Sequence, residues 1–264
     1  MIELDDEWPE LPPDYERFAE YRRDLDSSVE GVWLNVLDYA HLPHLHAHSF
    51  ASAELLGRGK DCWRARVGVA PASVGQFMTL ELRVSRARSQ FVTRTLEGVG
   101  GESYILTHVH PDPTRPTTHA SIHVEFFGPP TPAYVQRGKA QAYLRLYARL
   151  WDEDEEMAVG LLAFKGQRPW RPQSGTQLPL PNEERTTRDG TTALAVHEVD
   201  GELWVHPTAC PHMGGPLGER DADGRVRCPW HGYSFSVPEG ASEQTRLRLP
   251  CHRARRCGDH LELE

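Results

Sequence analysis

The chain has 264 residues, enough for two domains of ordinary size, each with its own core. A formal net charge of −9 and the acidic opening Met1-Ile-Glu-Leu-Asp-Asp-Glu7 argue against a nucleic-acid ligand or binding to an anionic membrane surface. No basic and apolar leader is visible and no apolar run approaches the ~20 residues that a membrane span requires, so a cytoplasmic protein with no membrane partner is expected.

In chain order, Pro13–Asp24 reads as a surface helix and Val32–His48 as a second helical segment, broken near Pro43. Strand-like runs follow at Cys62–Val69, Phe77–Val84, Phe91–Leu96, Tyr104–His110 and Ala120–Phe127, most of them separated by polar turns. Tyr134–Phe164 then carries a long helical pattern with acids gathered late in it. Helices, an antiparallel sheet and one long closing helix describe a helix-grip domain with an apolar cavity, over residues 1–165. Phe77, Leu80, Ile105, Phe126 and Phe127 are candidate cavity walls or ordinary core. Residues 166–182 hold prolines and turn formers and read as a linker. Across residues 183–264 short strands recur. Thr191–Glu198 and Glu202–Val205 flank the hairpin signal Asp200-Gly201, and Leu247–Leu249 and Leu261–Glu264 complete a small all-β module. The fold class is therefore α+β.

The all-β module carries Cys210-Pro-His212, fifteen residues, then Cys228-Pro-Trp-His231. Each half supplies one Cys and one His, which suits two similar loops clasping an asymmetric [2Fe–2S] centre, two thiolates on one iron and two imidazoles on the other. Four-ligand zinc sites more often pair Cys with Cys and His with His. Cys210-Pro-His-Met-Gly-Gly-Pro-Leu217 and Cys228-Pro-Trp-His-Gly-Tyr233 resemble the two cluster loops of Rieske proteins, which implies Cys210, His212, Cys228 and His231 as the ligands of a [2Fe–2S] cluster. Gly215 and Trp230 stand where high-potential relatives carry a disulfide, and Tyr233 and Phe235 where those relatives donate hydrogen bonds. Fewer donors to sulfur leave the reduced cluster less stabilised, so a potential of about −150 mV is expected. The remaining Cys62, Cys251 and Cys257 read as free thiols; Cys251 and Cys257 are the alternative candidates for extra metal ligands, but neither sits in a Cys-x-x-Cys pair.

Four histidines fall in the eight residues from His41 to His48. By spacing alone His44 and His48, four apart, suit an unbroken helix, whereas His41 and His46 would diverge by about 140° unless the helix is distorted at Pro43. The pattern Asn35-x-x-Asp38-x-x-His41-x-x-x-x-His46 resembles the iron-binding segment of Rieske non-haem iron oxygenases, and that resemblance selects His41 and His46 as ligands of a mononuclear Fe(II). It further implies that Asp38 bridges to a Rieske histidine. Asp38 and His41, at i and i+3, share a helix face, so the carboxylate can also orient the imidazole. Ferrous iron that must meet dioxygen takes two imidazoles and one carboxylate. Among Asp152, Glu153, Asp154, Glu155 and Glu156, only Asp154 falls on the apolar stripe marked by Tyr143, Tyr147, Leu150, Trp151, Ala158 and Leu161. The segment also resembles the third-ligand region of that family, while the other four acids read as a solvated helix end. His108 and His110 share one strand face, as do His119 and His123, and read as substrate contacts or as surface histidines.

The resemblance implies an oxygenase that takes electrons from a ferredoxin or flavin reductase and uses O2 on a small apolar organic substrate. Its domain order is reversed relative to that family. In the family electrons pass between subunits of a ring, which implies a homo-oligomer, a trimer. The linker is long enough to permit donation within or between chains, so its length does not choose between them. The rival reading is an electron-transfer Rieske protein fused to a ligand-binding helix-grip domain without catalytic iron.

Overall fold

The computed structural model describes residues 2–165 and 168–264. Gly166 and Gln167, the first residues of the expected linker, lie outside them, as does Met1. The chain divides into two compact units, Met1–Leu162 and Ala163–Glu264.

In the first unit β1 (Ile2–Glu3), β2 (Glu16–Leu25), α1 (Val29–Val36), a 3-10 turn (Tyr39–His41) and α2 (Leu42–Leu45) precede six long strands. These are β3 (Phe50–Arg58), β4 (Cys62–Val69), β5 (Phe77–Ser85), β6 (Gln90–Gly98), β7 (Ser103–Pro111) and β8 (Ala120–Gly128), and α3 (Ala133–Lys165) follows. The eight strands form one sheet in the order β1-β3-β4-β5-β6-β7-β8-β2. All neighbours are antiparallel except β1 and β3. Alternation explains the faces. In β8, Ala120, Ile122, Val124 and Phe126 are buried while His123, Glu125 and Phe127 are only partly so. The buried face joins Trp151 and flanking residues of α3 in one apolar core, the helix-grip arrangement.

The N-terminal stretch differs from its sequence reading. Glu16–Leu25 is an edge strand paired with β8, not a helix. Its helix-favouring residues yield to the pairing offered by an otherwise open sheet edge and to burial of Leu25. Phe50–Arg58 is a strand that its Glu, Leu and Ala content did not announce. On the other face of the sheet Glu81 has no exposed side chain and is held by Arg64, Arg83 and Arg94. Arg83 also donates to the Asp5 carbonyl at 2.6 Å. The Tyr104 hydroxyl donates to the Pro9 carbonyl at 2.9 Å, so the acidic opening is tied to this face.

In the second unit β9 (Gln177–Pro179), β10 (Thr186–Asp189), β11 (Thr192–Val199), β12 (Glu202–Pro207), β15 (His252–Cys257) and β16 (His260–Leu263) form a six-stranded sheet. β13 (Arg225–Arg227) and β14 (Ser234–Ser236) form a separate ribbon. Gln177–Pro179, inside the stretch read as linker, pairs with β16, and Trp170 is buried in the sheet's core. Leu247–Leu249 is not a strand. Leu249 is buried and its N–H donates to the Gly240 carbonyl, an anchor for an irregular segment.

Candidate metal centres

The first centre begins at α1. Ser28 caps the helix by accepting from the Gly31 N–H. A Cβ on Gly31 would lie 2.2 Å from Ser27 Oγ and 3.1 Å from the Ala158 carbonyl, so α1 and α3 touch where only glycine fits. One turn on from Gly31, Asn35 meets Asp154, one turn back from Ala158, and the Asn35 amide donates to Asp154 Oδ1 at 2.9 Å.

Helix α1 ends at Leu37, before the expected break at Pro43. Asp38 caps the 3-10 turn, its carboxylate accepting from the Ala40 N–H at 3.2 Å. Pro43 sits at the start of α2, where a missing N–H costs little. The interruption turns His41 and His46 to the same side. Both are buried, whereas His44 and His48 are exposed. The His41 and His46 rings meet edge to face at 5.1 Å. His41 Nε2 lies 3.5 Å and His46 Nε2 3.0 Å from Asp154 Oδ1, and the three ligand atoms fall within 4.8 Å of one another. Two imidazoles and one carboxylate are the donor set of a facial ferrous site, so the residues present fit the ion. Burial works against charge on His46, but Asp154 and Glu153 outweigh it and raise its pKa. Burial also opposes the Asp154 carboxylate, and His46, His41 and Asn35 together hold its pKa down.

Glu153, read as a solvated acid, contacts His46 Nδ1 through Oε2 at 2.6 Å. That is the outer contact by which a carboxylate fixes the tautomer of a metal-binding imidazole. Asp152 and Glu155 are not free in water either, since both pair with Arg23 of β2. The triad lines a cavity of about 170 Å³. Its wall includes Phe50, Trp63, Leu80, Phe91, Tyr147 and Trp151, and Ile105 also lines it. Phe126 is buried in the same core, whereas Phe77 lies under Arg66 and Phe127 meets Tyr104 edge to face. Among the described residues, none of His108, His110, His119 or His123 lines this cavity. His108 and His123 stack across β7 and β8 and pair with Glu125 and Glu20, which makes them sheet-surface histidines.

The second centre is a pair of matching loops. The Cys210 N–H donates to the Gly215 carbonyl and its carbonyl accepts from Gly214. Cys228 repeats the pattern with Tyr233 and Gly232. Gly214 and Gly232, four residues after each cysteine, have φ of 82° and 67°, the left-handed turn that brings each loop back on itself. Cys210 and Cys228 are buried and share a hydrogen bond, which with burial pushes the Cys210 thiol up while it holds Cys228 down. The His212 and His231 rings meet edge to face at 4.6 Å, and Nδ1 of each is buried. A Cβ on Gly215 would lie 2.7 Å from Cys228 Sγ and 2.7 Å from the Trp230 ring, so glycine keeps space around the sulfur. Two thiols and two imidazoles in a dry cradle fit a [2Fe–2S] cluster.

Residues 173–253 match the Rieske [2Fe-2S] domain family. The C-terminal unit is thus a Rieske domain, which implies a [2Fe–2S] cluster, and the N-terminal unit is a helix-grip domain. No curated protein matches the chain. Among solved structures, the ferredoxin of Sphingomonas yanoikuyae B1 is 23% identical, with 34% of this chain and 97% of that one covered at a TM-score of 0.29. The Zhui aromatase/cyclase from Streptomyces sp. R1128 is 14% identical, covering 58% of this chain and 99% of that one at 0.46. A START superfamily protein from Mycobacterium smegmatis is also 14% identical, covering 53% and 97% at 0.41. Among the described residues no helix is long and apolar enough to cross a membrane.

Proposed function

We propose that the protein is a Rieske non-haem iron oxygenase, taking electrons from a ferredoxin or flavin reductase and oxidising a small apolar organic substrate with O2. One observation carries the reading. His41, His46 and Asp154 converge in the wall of an apolar cavity, in a chain that also holds a Rieske domain. When bound, the cluster held by Cys210, His212, Cys228 and His231 would supply single electrons, and a ferrous ion at the triad would supply open positions for dioxygen.

The chain's own residues do the rest. Glu153 keeps His46 Nδ1 engaged, which leaves Nε2 directed toward His41 and Asp154. Asn35 holds Asp154 Oδ1 by its amide. The aromatic and aliphatic wall excludes water from the substrate, and no basic side chain other than the two histidines lines it among the described residues, so a neutral substrate is favoured over an anionic one. Asp38, adjoining the turn that carries His41, is the residue we assign to electron passage from His212 or His231, of the same chain or of a neighbour in a homo-oligomer.

Asp154 is held by Asn35 and His46 through hydrogen bonds that need no metal, which favours as a second reading a ligand-binding domain fused to an electron carrier. Iron analysis of anaerobically prepared protein separates the two. The oxygenase holds three irons per chain, two of them in the cluster, and His41→Ala reduces the count to two. Two irons in the parent protein with no change in His41→Ala rejects the oxygenase.

A further inference from the structure

The closing hairpin of the second unit carries a donor set that neither metal centre uses. Strands β15 and β16 turn at Gly258-Asp259, with Cys257 directly across from His260 and Arg255 across from Glu262. Alternation sends Ala254, Leu261 and Leu263 into the core, so Arg255, Cys257, His260 and Glu262 share the opposite face. There a ligand atom from each of Cys257, His260 and Glu262 lies within 4.8 Å of the other two, and all three side chains are partly exposed. His260 Nδ1 lies 3.2 Å from Asp259 Oδ1, which leaves Nε2 as the nitrogen for a metal and supplies the outer carboxylate that such histidines use. The Rieske family match ends at residue 253, before the hairpin turns.

We propose that Cys257, His260 and Glu262 form a binding site for a zinc-class divalent cation, a third metal site in this protein. The chemistry selects the ion. A thiolate and an imidazole beside one carboxylate suit zinc, whereas magnesium and calcium require oxygen donors. Three protein ligands leave the fourth tetrahedral position to solvent. Binding releases the Cys257 thiol proton to solvent. Glu262 now accepts from Arg255 at 2.6 Å, so the ion takes over or shares a carboxylate that is already held in place. Bound there, it staples the turn that joins the last two strands of the sheet. Cys257 is a free thiol in the structure, as its sequence reading expects, and so is available as a ligand.

The test uses the iron-loaded holoprotein, dialysed against zinc chloride and analysed for metals, with Cys257 labelling by a maleimide mapped by mass spectrometry. One zinc per chain is expected in the parent protein, retained in His41→Ala and lost in both Cys257→Ser and His260→Gln. Zinc, but not magnesium, should slow labelling of Cys257 by about 10-fold or more. Cys251, whose thiol burial pushes up to about 12, serves as the unreactive internal control. Zinc retained at full stoichiometry in Cys257→Ser, zinc lost in His41→Ala, or a labelling rate unchanged by zinc overturns the proposal.

Discussion

Asp154 is a carboxylate on the buried stripe of a helix, a position that costs several kcal/mol when no partner is present. Its partners here are Asn35, His41 and His46, and the geometry gives each a separate experimental signature. Asp154→Ala is expected to lose the mononuclear iron and keep the red-brown cluster spectrum. Iron retained at three per chain would point to another acid. Glu153→Gln should weaken ferrous binding by about 10- to 100-fold through His46, measured by Fe(II) titration. An unchanged affinity would return Glu153 to a surface role. Asp38→Asn should leave both metals bound yet slow single-turnover product formation severely, and a normal rate would remove it from the electron path. The burial of Asp154 was legible because, of five consecutive acids, it alone falls on the apolar periodicity. Glu153 was not, since it lies about 100° around the helix from Asp154, and only a contact with a distant imidazole separates it from a solvated acid.

Between elements, the seam of α1 on α3 sets the site. Gly31 packs against Ala158, and the same faces one turn away bring Asn35 to Asp154. Gly31→Val should therefore cost about 1–3 kcal/mol in urea unfolding and loosen ferrous binding together. A variant as stable as the parent would show that the seam tolerates bulk. On the other face of the sheet, burial would raise the Glu81 pKa, but Arg83, Arg94 and Arg64 outweigh it and lower it to about 2. A carboxylate lowered on folding stabilises the protein above its unfolded pKa. That contribution declines as pH falls from the ordinary carboxylate range through about 2. Glu81→Gln should destabilise the protein at neutral pH by roughly 3 kcal/mol and flatten its acid-unfolding profile between those limits. A profile parallel to the parent's contradicts this. The strands from Cys62 to Phe127 could be read from alternation and β-branched content, whereas β2 and β9 could not. Glu16–Leu25 is rich in helix formers, and Gln177–Pro179 is short and proline-bounded, so both owe their state to a sheet edge elsewhere in the chain.

At the scale of the whole molecule, the Rieske loops were legible almost residue by residue, because local turns with fixed glycine positions build them. The helix-grip domain was legible as a pattern of elements. The meeting of His41 and His46 followed from the family resemblance and not from their spacing, because it depends on a helix that stops at Leu37 and not at Pro43. With Phe235 buried and Tyr233 stacked on the His231 ring and edge-on to His212, the cluster should show a potential of about −150 mV by redox titration, and a value above zero would contradict the low-potential assignment. The central claim is that one chain couples a Rieske centre to a ferrous site beside an apolar cavity. The most direct measurement is ferrous uptake by anaerobic protein whose cluster is intact. The account predicts one further iron per chain, lost on His41→Ala with the cluster spectrum unchanged, whereas no uptake beyond the cluster's own iron would contradict it.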